Sequence, residues 1–211
     1  MRPIDWYFDF LSPYPYLQMH YFHRLPGDVL VQPRPVLFSV LLDHWGNKGP
    51  AEIPPKRRFA FRHVQWQAAQ LGVPLRFPPA HPFNPLRPLR LAIALGSGMD
   101  VVERIYRFIW RDGKDTENPE FWRELLDTLG VGDGDALIGD PKVKAALRTN
   151  CDAALAAGAF GVPTVVVDGE LFWGFDATPM LADYLDSPQK FETAEMRRVG
   201  DLPVGMQRKS R

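Results

Sequence analysis

Residues 4–17 read IDWYFDFLSPYPYL, and on this stretch the folding of the whole chain turns. Ile4 to Phe10 is short, β-branched and aromatic, as a central strand should be. It runs straight into Ser12-Pro13-Tyr14-Pro15. Proline suits the first helical position, because its missing N–H would have no partner there in any case. The pattern therefore predicts a strand handing over to a helix that starts at Pro13, with the Ser12 hydroxyl at the junction. A polar atom so placed sits by the positive end of the helix, which favours a bound anion such as a thiolate. Serine is also among the commonest N-caps, so these residues alone fit a cap and a ligand contact equally well.

Working outward, the first helix is predicted to run to His23 or Leu25, stopped by Pro26-Gly27. Val29 to Pro35 alternates like a second strand, and Pro33 and Pro35 push it to a sheet edge. From Gly46 the pattern becomes helical, with segments at Pro55 to Leu71, Pro85 to Leu95, Asp100 to Trp110, Pro119 to Leu129 and Pro141 to Ala157. Strand character returns in Pro163 to Val167, and Asp168-Gly169 is a strong two-residue turn into Glu170 to Trp173. A last helix spans about Pro179 to Leu185, with Thr178 as its cap. The order is βαβ, a helical block, then ββα. That is an α/β fold, a thioredoxin-like sheet with a large all-helical insertion. Residues 1–45 and 158–190 would form the thioredoxin-like domain, 46–157 the insertion, and 191–211 an extended or disordered tail.

With 211 residues the chain can bury a substantial core. Its 25 basic and 25 acidic side chains cancel, which gives no support for a nucleic-acid partner or a membrane surface. No stretch approaches the roughly 20 apolar residues that span a bilayer. The single cysteine, Cys151, cannot form an intramolecular disulfide and reads as a small buried hydrophobe. The N-terminus lacks the basic start and apolar run of a signal peptide, so a cytoplasmic location is expected. The histidines at 20, 23, 44, 63 and 81 show no ligand spacing, and no metal is predicted.

Three points distant in sequence converge if this topology holds. The first is Ser12. The second is Gly161-Val162-Pro163-Thr164, where a cis X-Pro bond would turn the Val162 backbone toward the start of the first helix. Its N–H and C=O could then pair with a peptide as an added strand does. The third is Trp173-Gly174-Phe175-Asp176, whose carboxylate suits a ligand ammonium. A thiol, a peptide backbone and an amino group occur together in glutathione. A cysteine pair, C-x-x-C, at positions 12 and 15 would have signalled disulfide exchange. Ser12 and Pro15 stand there instead, which argues against it.

Four motifs in order, FDFLSPYPYL at 8–17, GNKGP at 46–50, FGVPT at 160–164 and FWGFD at 172–176, carry a family resemblance. Through about residue 186 the chain resembles the 2-hydroxychromene-2-carboxylate isomerases and the kappa-class glutathione transferases, with their DsbA-like thioredoxin fold. The resemblance implies glutathione as cofactor, a small aromatic substrate and a homodimer. It implies that Ser12 activates the sulfur, that Asn47 is a polar contact in the site, and that Val162, beside Pro163, pairs with the cysteinyl part. Asp176, with the Gly174 and Phe175 backbone, would hold the γ-glutamyl end. The implied reaction is cis-trans isomerisation of a ring-opened aromatic catabolite by thiolate addition, bond rotation and elimination.

The chain departs from that pattern in the second-substrate half. Leu41-Leu42-Asp43-His44 and Ala51-Glu52-Ile53 flank GNKGP where those isomerases carry a lysine and an asparagine-arginine pair, and Phe175 stands where a polar residue is usual. Lys48, Lys56, Arg57, Arg87 and Arg90 are the nearby cations. The proline-rich run Pro74 to Pro88 reads as a connector or, by a slight preference, a pocket wall. Two alternatives follow: a kappa-like transferase or peroxidase acting on another electrophile, and a non-enzymatic thioredoxin-like binding or chaperone domain.

Overall fold

The structure, a computed structural model, describes residues 1–206. The opening segment forms the inner strand β1 (Arg2–Phe8), flanked by β2 (Val29–Pro35) in parallel and β3 (Thr164–Val167) antiparallel. β4 (Glu170–Trp173) completes the order β2-β1-β3-β4. Pro33 and Pro35 thus lie on an edge strand, where a missing donor costs least. Asp168 and Gly169 both take positive φ, as the tight β3–β4 turn requires.

α1 (Pro13–Met19) connects β1 to β2, and it is shorter than its sequence suggests. The chain tightens past His20 into a 3-10 turn at Phe22–Arg24, with the Arg24 N–H bonding the Tyr21 carbonyl. Between β2 and β3 lie α2 (Phe38–Trp45), α3 (Pro54–Gln70), α4 (Leu86–Ala94), α5 (Met99–Tyr106), α6 (Pro119–Leu129), α7 (Gly134–Gly139) and α8 (Pro141–Ala156). α5 continues into a π turn at Arg107–Arg111, where the Asp112 N–H reaches the Arg107 carbonyl. After β4 come α9 (Thr178–Asp186) and α10 (Ala194–Gly200).

Two sequence expectations need correction here. The cap position of α9 is Ala177, and the Thr178 hydroxyl instead turns back to donate to the Phe175 carbonyl at 2.6 Å. The segment from residue 191, expected to be extended or disordered, carries α10, whose first turn is capped by Thr193 Oγ1. The rest of that tail, residues 207–211, lies outside the described residues.

α2 and α7 had no clear sequence signal. The cap position of α2 is Leu37, which has no polar side chain. Its Phe38 N–H is held at 2.8 Å by the Asp9 carboxylate, from the loop after β1. α7 is short and has glycine at both ends, and its cap is Asp133.

Ile4, Trp6 and Phe8 are fully buried and alternate onto one face of β1. Trp6 stacks on Phe8 at 4.7 Å between ring centroids, and both rings approach Tyr106 of α5. Buried phenol and indole groups need polar partners. Here they find them on the loop after β1: Tyr106 Oη donates to the Asp9 carbonyl (2.9 Å) and Trp110 Nε1 to the Phe10 carbonyl (2.8 Å). His81 Nε2 donates to the next carbonyl, that of Leu11, at 2.9 Å. The Asp9 carboxylate also accepts from the Leu11 N–H at 2.9 Å, so the loop is tied at four places.

Asp9 is completely buried, and desolvation pushes its carboxyl up to about 7 although the Leu11 and Phe38 amides favour the charged form. Unfolding returns it to its ordinary value near 3.8. Between these values the folded chain holds a proton that the unfolded chain has lost. The contribution of Asp9 to stability therefore falls as pH rises from about 4 to about 7, and is flat above. Urea titrations from pH 4.5 to 8 should show this slope, up to about 1.4 kcal/mol per pH unit. It should be missing in Asp9→Asn; an unchanged slope would refute the assignment.

Candidate active site

The loop fixed by Tyr106, Trp110 and His81 ends at Ser12, which occupies the cap position of α1 with extended backbone. Its hydroxyl caps nothing: no side-chain bond to the helix is made. The residue is 9% exposed and its N–H is committed to the Asp9 carbonyl, so Oγ is the atom left for a ligand. The usual orphan N–H groups of a helix start are reduced here. Pro13 and Pro15 have none, and the Tyr14 N–H is the donor that remains beside Oγ. Tyr14 was not recognised from sequence, since its contribution is a backbone group.

The Val162–Pro163 peptide bond is cis. Val162 precedes the first paired residue of β3, and among the described residues its N–H and C=O form no hydrogen bond. The Pro163 carbonyl accepts from the Gly174 N–H at 2.9 Å, which joins this segment to the turn after β4. Gly161 packs on the Trp173 indole so closely that a Cβ there would lie 2.4 Å from Nε1.

Asp176 stands in a 3-10 turn, Phe175–Ala177, with its carboxylate exposed and unpaired among the described residues. Gly174 is required beneath it: its φ is +94°, and a Cβ would fall 2.5 Å from Asp176 Oδ1. Phe175 is buried against Tyr21 and contributes backbone only. The Tyr14 hydroxyl is pushed above its ordinary range by burial and, second, by the Asp176 carboxylate. The head of α1 and Asp176 thus share one electrostatic neighbourhood.

Asn47 is exposed in the loop after α2, and among the described residues its side chain makes no hydrogen bond. Gly46 ends α2 in left-handed conformation, and the Asn47 N–H closes the helix on the Leu42 carbonyl. Trp45 Nε1 donates to the Ala159 carbonyl at 3.0 Å, which anchors this loop beside the chain leading to Val162. One hydrogen bond, from the Gly174 N–H to the Pro163 carbonyl, joins the cis-proline segment to the turn that carries Phe175 and Asp176. Ser12 follows β1, whose Tyr7 pairs with Thr164 next to Pro163, and Asn47 is linked to the same region indirectly, through Trp45 and the Ala159 carbonyl.

Cys151 is buried and accepts from the Leu37 N–H at 3.3 Å; burial raises its thiol, which keeps it out of thiolate chemistry. No group of three or more His, Cys, Asp or Glu side chains suited to a metal occurs among the described residues. No helix there is long and apolar enough to cross a membrane.

Sequence reading also missed His81. Burial, and less strongly Arg57, lowers its pKa, and the Leu11 carbonyl opposes them. The neutral ring carries its proton on Nε2 to serve that carbonyl. Phe61 and Phe77 pack on the same ring and line an open groove of about 530 Å³ with Trp66. A second cavity of about 350 Å³ is lined by Ala51, Pro54, Arg57, Arg58 and Phe61. Neither is lined by Ser12, Val162 or Asp176.

A family model described as a DSBA-like thioredoxin domain matches residues 3–186. The chain belongs to that family. Within it, the resemblance carried by the four motifs is borne out. The 2-hydroxychromene-2-carboxylate isomerase of Sphingobium xenophagum is 31% identical, over 87% of this chain and 98% of its own. Glutathione S-transferase kappa 2 of Caenorhabditis elegans is 29% identical, over 90% and 94%. A solved 2-hydroxychromene-2-carboxylate isomerase superposes with a TM-score of 0.76, covering 92% of this chain and 98% of its own at 23% identity, a likeness of fold.

Gly174→Ala should force the Asp176 carboxylate aside and strain the turn at positive φ. The expected loss is about 1–3 kcal/mol in urea unfolding. Unchanged stability would show that the turn tolerates a side chain.

Proposed function

We propose that this chain is a glutathione-dependent cis-trans isomerase acting on ring-opened aromatic catabolites. The observation that carries the reading is the uncommitted Ser12 hydroxyl, held at a fixed loop although the helix it begins could have used it as a cap. Relatives named as isomerases and glutathione transferases over most of the chain support it.

In this reading the glutathione sulfur lies against Ser12 Oγ and the Tyr14 N–H, which stabilise the thiolate, the reactive form. The Val162 main chain pairs with the cysteinyl unit beside the cis Pro163. Asp176, over Gly174 and the Phe175 backbone, receives the γ-glutamyl ammonium. The thiolate adds to the conjugated carbon of the substrate and converts a double bond into a single one. Rotation about that bond and elimination of the same thiolate give the trans product, and glutathione is returned. A carboxylate on the substrate would meet Arg57 and Arg58 at the smaller cavity; of the other nearby cations, Arg87 is already paired with Asp135.

The altered flanks of GNKGP favour a second reading, a kappa-like transferase that uses the same sulfur on another electrophile. The two differ in stoichiometry: the isomerase returns its glutathione and the transferase consumes it.

Ser12→Ala tests what they share. Losing a hydrogen bond to a charged sulfur should raise the thiol pKa of bound glutathione by about one unit. The rate near neutral pH should fall by about a hundredfold. Ultraviolet titration of the thiolate in the complex and turnover of a ring-opened chromene carboxylate are the measurements. An unchanged pKa and rate would remove Ser12 from the mechanism.

A further inference from the structure

Gln18 lies on α1 six residues beyond Ser12, about 9 Å along the helix. It is 1% exposed, a rare burial for a glutamine, and both its N–H groups and its carbonyl oxygen are hydrogen-bonded. Oε1 accepts from Trp6 Nε1 at 2.7 Å on the central strand. Nε2 donates to the Gly174 carbonyl at 3.3 Å and to Thr178 Oγ1 at 3.1 Å. Thr178 in turn donates to the Phe175 carbonyl at 2.6 Å. The amide is thus bonded on one side to β1 and on the other to both ends of the turn that presents Asp176. No other side chain of α1 donates to that turn among the described residues.

We propose that Gln18 is a positioning residue that selects γ-glutamyl thiols. By locking the Gly174–Thr178 turn to the helix that carries Ser12, it fixes the separation between the sulfur contact and the Asp176 carboxylate. Only a thiol bearing an amino group at that separation engages both. The proposal rests on the glutathione reading above and adds the source of its specificity. A simpler role, filling a polar gap in the core, would affect all thiol ligands alike.

The test compares glutathione with cysteinylglycine, which keeps the thiol and the C-terminal part but lacks the γ-glutamyl unit. Both are titrated calorimetrically into the wild-type protein, Gln18→Met and Gln18→Glu. Methionine removes every bond of the amide, whereas a glutamate carboxylate can still accept from Trp6 and lacks both donors, to the Gly174 carbonyl and to Thr178 Oγ1. The wild-type protein should prefer glutathione. In both variants that preference should fall about tenfold, the equivalent of one buried hydrogen bond, with cysteinylglycine affinity unchanged. In the wild-type protein itself, the Gln18 side-chain amide resonances should shift with glutathione and stay in place with cysteinylglycine. This readout needs no folded variant. Retention of the preference, an equal loss of both ligands, or resonances that respond alike would overturn the proposal. A wild-type protein that binds the two thiols equally would overturn the γ-glutamyl reading itself, and this proposal with it.

Discussion

Three consecutive carbonyls, those of Asp9, Phe10 and Leu11, accept side-chain hydrogen bonds from an aromatic core where the central strand ends. A buried carbonyl left without a donor costs about 1–3 kcal/mol. The donors are Tyr106, Trp110 and His81, which stand 97, 100 and 70 residues downstream of their acceptors. Ser12 follows immediately. Its place therefore depends on the docking of the helical block on the sheet, and a chain with the same first 45 residues and no such block would keep only the local ties that Asp9 makes to Leu11, Ser12 and Phe38.

The same dependence gives the proline-rich run from Pro74 to Pro88 its meaning. Tyr16 of α1 donates to the Pro74 carbonyl at 2.9 Å, and the Arg76 N–H to the Trp110 carbonyl at 2.7 Å. Arg57 donates to the His81 carbonyl at 2.7 Å. The run straps α1, α3 and the π turn together. Its rigidity serves the loop first; its Phe77 ring meets the groove as well. The run thus acts as a connector, and through Phe77 it also lines the groove beside α3.

The alternation of Ile4, Trp6 and Phe8, the prolines of β2 and the Asp168-Gly169 turn were legible in the sequence because each acts locally. The helices starting at Pro119 and Pro141 were legible for the same reason, with Asn118 and Asp140 as their own caps. α2 was not, because its first amide is held by Asp9, twenty-nine residues upstream. In the site, Ser12 and Asp176 stood out as polar atoms at element junctions. Gln18 and His81 did not, since each acts through one buried contact that no spacing encodes. The motifs pointed to the groups proposed to meet a ligand, and the groups that hold them in place emerge only from packing.

This division also bears on how the two halves of the proposed site can change. Ser12 is bound into a buried loop and the turn that carries Asp176 into the buried Gln18 amide, so a substitution in either strands a polar partner in the interior. α3, by contrast, buries only Val64 and Ala68 of its seventeen residues, and Phe59 and Trp66 lie exposed on it. Substitutions on that helix strand little and cost little stability. The two cavities are lined largely by α3. If the second substrate of the proposed reaction is met there, its recognition can diverge while the proposed thiol site stays fixed, which is the pattern of the GNKGP flanks: a retained motif between altered neighbours.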